Sequence, residues 1–130
     1  KYLRKIGGFP GIDVGDEFYL MKEAILAKGK FVYSPHCYIK AYVHTGESGG
    51  LSSGQKKIDG ENALYLEKQR YFDFLDKKAI KYIRTRHYAV IAFAELRRKS
   101  YLPCITNIGR AFFVSPYESI KILKQHITIR

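Results

Sequence analysis

Apolar and polar positions alternate in short runs through most of this chain, and the runs are rich in β-branched and aromatic residues. "KFVYS" (30–34) and "CYIKAYVHT" (37–45) place Tyr38, Lys40, Tyr42 and His44 on one face and Ile39, Ala41 and Val43 on the other, the two-residue period of a strand. "AIKYIRT" (79–85), "HYAVIAFAELRR" (87–98), "RAFFVSP" (110–116) and "SIKILKQHITI" (119–129) read as further strands, separated by basic or proline-containing turns. Residues 18–26 are apolar at 18, 20, 21, 24 and 25, which fits a helix or a strand equally; the strand is preferred. The best helix lies in "GENALYLEKQRYFDFL" (60–75), where Ala63, Leu66 and Arg70, and Leu64, Tyr71 and Leu75, recur at three- to four-residue spacing. The opening "GGFPGIDVGDEF" is turn-rich, and residues 46–60, with five glycines and three serines, predict the longest loop. The expected fold is therefore α+β and mostly β: a curved, barrel-like mixed sheet with one or two short helices.

At 130 residues the chain has room for a single domain, 1–130, with a real core. Its 46% hydrophobic and 27% charged residues are ordinary for a soluble globular protein, and no apolar run approaches a membrane span. The first residue is Lys1, and no signal-peptide pattern opens the chain, so the expectation is a piece of a larger protein. Cys37 and Cys104 stand far apart, outside any CxxC or Cys/His ligand spacing. They predict inert thiols in a reducing, intracellular setting, with no metal site and no cofactor.

Charge changes the picture more. Twenty-three Lys and Arg against twelve Asp and Glu give +11, which in so small a domain points to a polyanionic partner, DNA first. Residues 1–65 carry nine basic and seven acidic side chains, a net of +2, whereas residues 66–130 carry fourteen and five, a net of +9. The candidate phosphate-binding residues are Lys56, Lys57, Lys68, Arg70, Arg84, Arg86, Arg97, Arg98, Lys99 and Arg110. A merely solvated basic face is the competing reading of the same residues.

Four short motifs stand in a telling order: "FPGIDVGDEF" (9–18) with Glu23 beyond it, "VHTGESGG" (43–50), "GENAL" (60–64) and "AIKYIR" (79–84). In that order they resemble the SRA domain, the SET- and RING-associated or YDG family. The likeness spans about residues 1 to 84. It implies a PUA-like β fold that binds duplex DNA and flips a modified cytosine out of the helix. Such a site recovers the unstacking energy by sandwiching the base between flat side chains and bonding its pairing edge. The base-binding residues would be Tyr33, His36, Tyr38, His44, Thr45, Gly46, Gly49 and Gly50: a strand supplying planes, then glycines that leave backbone N–H groups approachable. Departures are plain. His44 replaces the family's tyrosine before "TG", the base-reading aspartate has no counterpart near Tyr33, and Tyr88-Ala89-Val90 stands where the YDG tripeptide would fall. The same tyrosines also suit half-buried sheet positions.

Two other classes fit parts of the pattern. A nuclease could use His36, His44 or His87 as a general base, with lysines stabilising the transition state. A protein-interaction module could use the charge against an acidic partner. P-loop, GxSxG and HExxH motifs are absent, and a small-molecule ligand is not expected.

Overall fold

The computed structural model describes residues 2–9, 14–32, 35–36 and 54–128, the side chains of 126–128 excepted. Among the described residues the regular structure comprises six α-helices and a 3-10 turn, with no strand. The helices are α1 (Tyr2–Lys5), α2 (Asp16–Leu26), α3 (Gly54–Gln69), α4 (Lys77–Arg97), α5 (Tyr101–Val114) and α6 (Pro116–Thr128), with the 3-10 turn at Phe72–Phe74. The mostly β, barrel-like fold is thereby overturned, and with it the PUA-like architecture that the SRA resemblance implied. The "AIKYIR" motif, a strand in that scheme, lies in the first turns of α4.

The physical reasons lie in signals that outweigh β-propensity. Asp76 caps α4, its carboxylate accepting the Ala79 N–H at 2.6 Å. From there Ile80, Ile83, His87 and Ile91 recur at three- and four-residue spacing, so the two runs read as separate strands are one 21-residue helix. "SPYE" at 115–118 starts α6: Pro116 occupies the first helical position, and Ser115 Oγ accepts the Glu118 N–H at 3.4 Å. Residues 18–26 are helical in α2, and α3 begins at Gly54, so the second part of the anticipated glycine-serine loop is helix.

The long helix α4 is the spine. Its closest partner is α5, joined to it by a three-residue turn, with α6 beside both and α3 on another flank. Small side chains make the α4–α5 approach possible: Thr85 and Ala92 on α4, Cys104 and Ala111 on α5, each pair seven residues apart and buried. Thr85 is fully enclosed, its hydroxyl donating to the Lys81 carbonyl at 2.8 Å. The turn itself is a Schellman motif, with Ser100 N–H on Glu95 O at 2.9 Å and Lys99 N–H on Leu96 O at 3.0 Å. Lys99 takes the left-handed position there, with φ of 60°.

On the other flank Val14 and Leu64 are buried, Val14 against the bare Cα of Gly60 and Leu64 against Gly15. A Cβ on Gly60 would lie 2.6 Å from a Val14 methyl, so the close approach requires glycine there. The segment leads into α2, which is tied to α3 by the Lys22 ammonium on Glu67 at 3.3 Å and by the Lys68 ammonium 5.1 Å above the Phe18 ring. Burial lowers the Lys22 pKa, but bonds to Glu23 and Glu67 outweigh it and leave the ammonium held above its ordinary value.

Candidate nucleic-acid interface

Where α3, the 3-10 turn and α4 meet, aromatic rings form a continuous line. Phe72 and Tyr65 meet edge-on at 6.3 Å between centroids. Tyr65 then stacks on His87 at 4.1 Å and 11°, and His87 adjoins Tyr88 at 5.3 Å and 58°. Each end of the line carries a guanidinium: Arg84 lies 5.5 Å from the Phe72 centroid, and Arg110 of α5 lies 6.0 Å from that of Tyr88. Both arginines are exposed, and among the described residues neither forms an ion pair with a carboxylate. A guanidinium held near a ring face by cation–π attraction loses less side-chain entropy when it grips a phosphate.

The helical repeat explains the arrangement. Arg84 and Tyr88 are four residues apart on α4 and share a face, while His87 turns toward α3, where Tyr65 waits. Burial raises the Tyr65 pKa, reinforced by Tyr88; hydrogen bonds with Gln69 and Arg84 and the Arg84 charge oppose the rise without cancelling it. Burial also holds His87 below its ordinary value, so the ring is neutral at pH 7; Glu61 opposes that shift and Lys68 adds to it.

The ten sequence-derived phosphate candidates now divide by what they touch. Lys57 is committed to Glu61 at 2.9 Å, Arg70 to Glu67 at 2.9 Å, and Arg98 to Gln55 at 2.7 Å with Glu95 at 3.5 Å. Lys68 is half-buried over Phe18, and Lys56, Arg86, Arg97 and Lys99 are exposed. Arg84 and Arg110 end the ring line, and Lys77, Lys78 and Lys81 extend positive charge along the first turns of α4. Of the base-binding candidates, His36 is described and exposed; Tyr33, Tyr38, His44, Thr45, Gly46, Gly49 and Gly50 lie outside the described residues. Reading 79–85 and 87–98 as strands concealed Tyr88, because only a helix brings residues 84 and 88 within one turn of each other, while Tyr65 and Phe72 lie in 60–75, where the sequence pattern marks them only as members of a helix.

Cys104 is buried and unpaired in the α4–α5 contact, and Cys37 lies outside the described residues. No group of His, Cys, Asp or Glu side chains that could hold a metal ion occurs among the described residues. Among those residues, no helix is long and apolar enough to cross a membrane. No protein-family model matches the chain, and neither does any curated protein or solved structure.

Proposed function

We propose that this chain is a helical nucleic-acid-binding module that grips the phosphate backbone of DNA through Arg84 and Arg110, with Lys77, Lys78 and Lys81 adding to the field. The observation that carries the reading is the line of four rings ended on both sides by exposed guanidiniums that lack carboxylate partners among the described residues. Basic residues interleaved with aromatic ones serve a polyanion well, since the rings orient the cations and exclude water from beneath them. The net charge of +11 supplies long-range attraction to the same partner. A binder is favoured over a nuclease by His87, whose buried Nδ1 has, among the described residues, no partner to orient it as a base.

Fluorescence anisotropy of a labelled DNA duplex, titrated across a salt series, tests the reading. Affinity should fall linearly on a log–log plot as salt rises, and the Arg84→Ala/Arg110→Ala double variant should bind weakly throughout. Salt-independent binding, or a double variant that binds as the parent does, would remove the proposal.

A further inference from the structure

Behind the ring line, between α2, α3 and α4, lies a second feature: a cavity of about 390 Å³, within the range of small-ligand sites. Its apolar wall is built by Phe18, Met21, Leu64 and Ile83, and the stacked Tyr65–His87 pair closes one side. Two cations line it from different helices, Lys68 of α3 and Arg86 of α4, and neither forms an ion pair with a carboxylate among the described residues. They also repel one another. Burial and then Arg86 lower the Lys68 pKa, with Glu61 resisting.

One acceptor completes the lining. Glu61 is buried, its carboxylate held by Lys57 at 2.9 Å. His87 contributes its ring, while its Nδ1 is sealed from the cavity. The cavity therefore offers an apolar wall, two cations outside any carboxylate ion pair among the described residues, and one carboxylate able to meet a ring N–H.

We infer that this cavity binds a planar heterocycle carrying both an N–H donor and an anionic group, of the size of a single nucleotide. The anion would sit between Lys68 and Arg86, and the ring would lie along the apolar wall with its polar edge toward Glu61. Such a unit could arrive as a free mononucleotide or as the phosphorylated end of a strand.

Adenosine 5′-monophosphate is the probe. Calorimetric titration should show one binding site, with adenosine and inorganic phosphate each about tenfold weaker or more, since each lacks half of the recognition. Lys68→Met and Arg86→Met should each weaken the nucleotide by about tenfold or more, while Arg97→Ala, which removes an exposed cation outside the cavity lining, should bind it as the parent does. Amide chemical-shift changes in the unmutated protein, centred on Tyr65, Lys68, Arg86 and His87, locate the site without relying on any variant's folding. A 5′-phosphorylated oligonucleotide that displaces the nucleotide assigns the cavity to strand ends; one that does not assigns it to the free nucleotide. Binding no tighter than about 10 mM, shift changes elsewhere, or insensitivity to both methionine variants would overturn the inference.

Discussion

The imidazole of His87 lies nearly flat on the phenol of Tyr65, with centroids 4.1 Å apart and planes 11° from parallel, and the contact pins α3 to α4. The stack has a pH consequence. Desolvation disfavours the imidazolium, and Lys68 disfavours it further, while Glu61 only partly compensates. The folded state therefore takes up a proton on His87 at lower pH than the unfolded chain does.

Acid should consequently unfold the protein earlier than its carboxylates alone would require. Unfolded His87 charges as pH drops through about 6.5, while folded His87 is still neutral, so stability present above that pH is lost below it, down to the folded value. One proton of linkage contributes at most about 1.4 kcal/mol per pH unit. Urea unfolding of the parent and of His87→Phe between pH 5 and 7.5 measures this. Phenylalanine keeps a ring on Tyr65 but cannot titrate, so the variant's stability should vary less with pH; parallel curves would contradict the account.

Two glycine substitutions should act with opposite sign although both sites are helical. In α5, Gly109→Ala places its Cβ in open space and should stabilise by about 0.5–1 kcal/mol, the ordinary gain from stiffening a helix. In α3, Gly60→Ala would drive its Cβ to 2.6 Å and 2.7 Å from Val14 Cγ2 and Cβ. Overpacking costs about 1–3 kcal/mol, more than the propensity gain, so the net change should be a loss. Thermal unfolding of both variants decides it, and a stabilised Gly60→Ala would mean that Val14 is not where the packing puts it.

Asp76 should matter out of proportion to its exposure. Its carboxylate satisfies the Ala79 N–H at the start of the central helix, and Asp76→Ala should cost about 1 kcal/mol. Asp76→Asn or Asp76→Ser should recover most of the loss, because those side chains also accept the bond. A loss that neither replacement recovers would assign the effect to charge rather than to capping.

The helix expected at 60–75 was legible in part: residues 60–69 are rich in strong helix formers and lie in α3, but the helix ends at Gln69, so Tyr71 and Leu75, which kept the helical period in the sequence, fall beyond it. The basic second half was equally plain, since charge is read without knowing the fold. The remaining helices were concealed by composition. Ile80, Tyr82, Ile83, Thr85, Val90, Ile91 and Phe93 are strand-formers by propensity, but in α4 tertiary packing places them around one cylinder. In α6 the alternation of "SIKILK" arises because Ser119 and Ile122 face inward while Ile120 stays half-exposed, which mimics a two-residue period. The decisive marks were short: Asp76 three residues before Ala79, and Ser115-Pro116 three residues before Glu118. With α4 a helix, Arg84 and Tyr88 stand about one turn apart on one face, as the proposed interface requires; in a strand the same residues would be about 13 Å apart.

Arg84 and Arg110 should each carry about one phosphate contact, a claim sharper than loss of binding. Removing one such contact lowers the slope of log affinity against log salt by about 0.9 on duplex DNA. Arg84→Ala and Arg110→Ala should each do so, whereas Arg70→Ala, which removes the same formal charge from a side chain already engaged by Glu67 at 2.9 Å, should leave the slope nearly unchanged. Lysine separates charge from geometry further. Arg84→Lys keeps the cation but loses the planar guanidinium held 5.5 Å from the Phe72 centroid, so it should retain most of the slope while weakening affinity at every salt concentration. Equal slope changes for all three alanine variants would mean that the DNA reads only net charge, and the ring line would then have no part in binding.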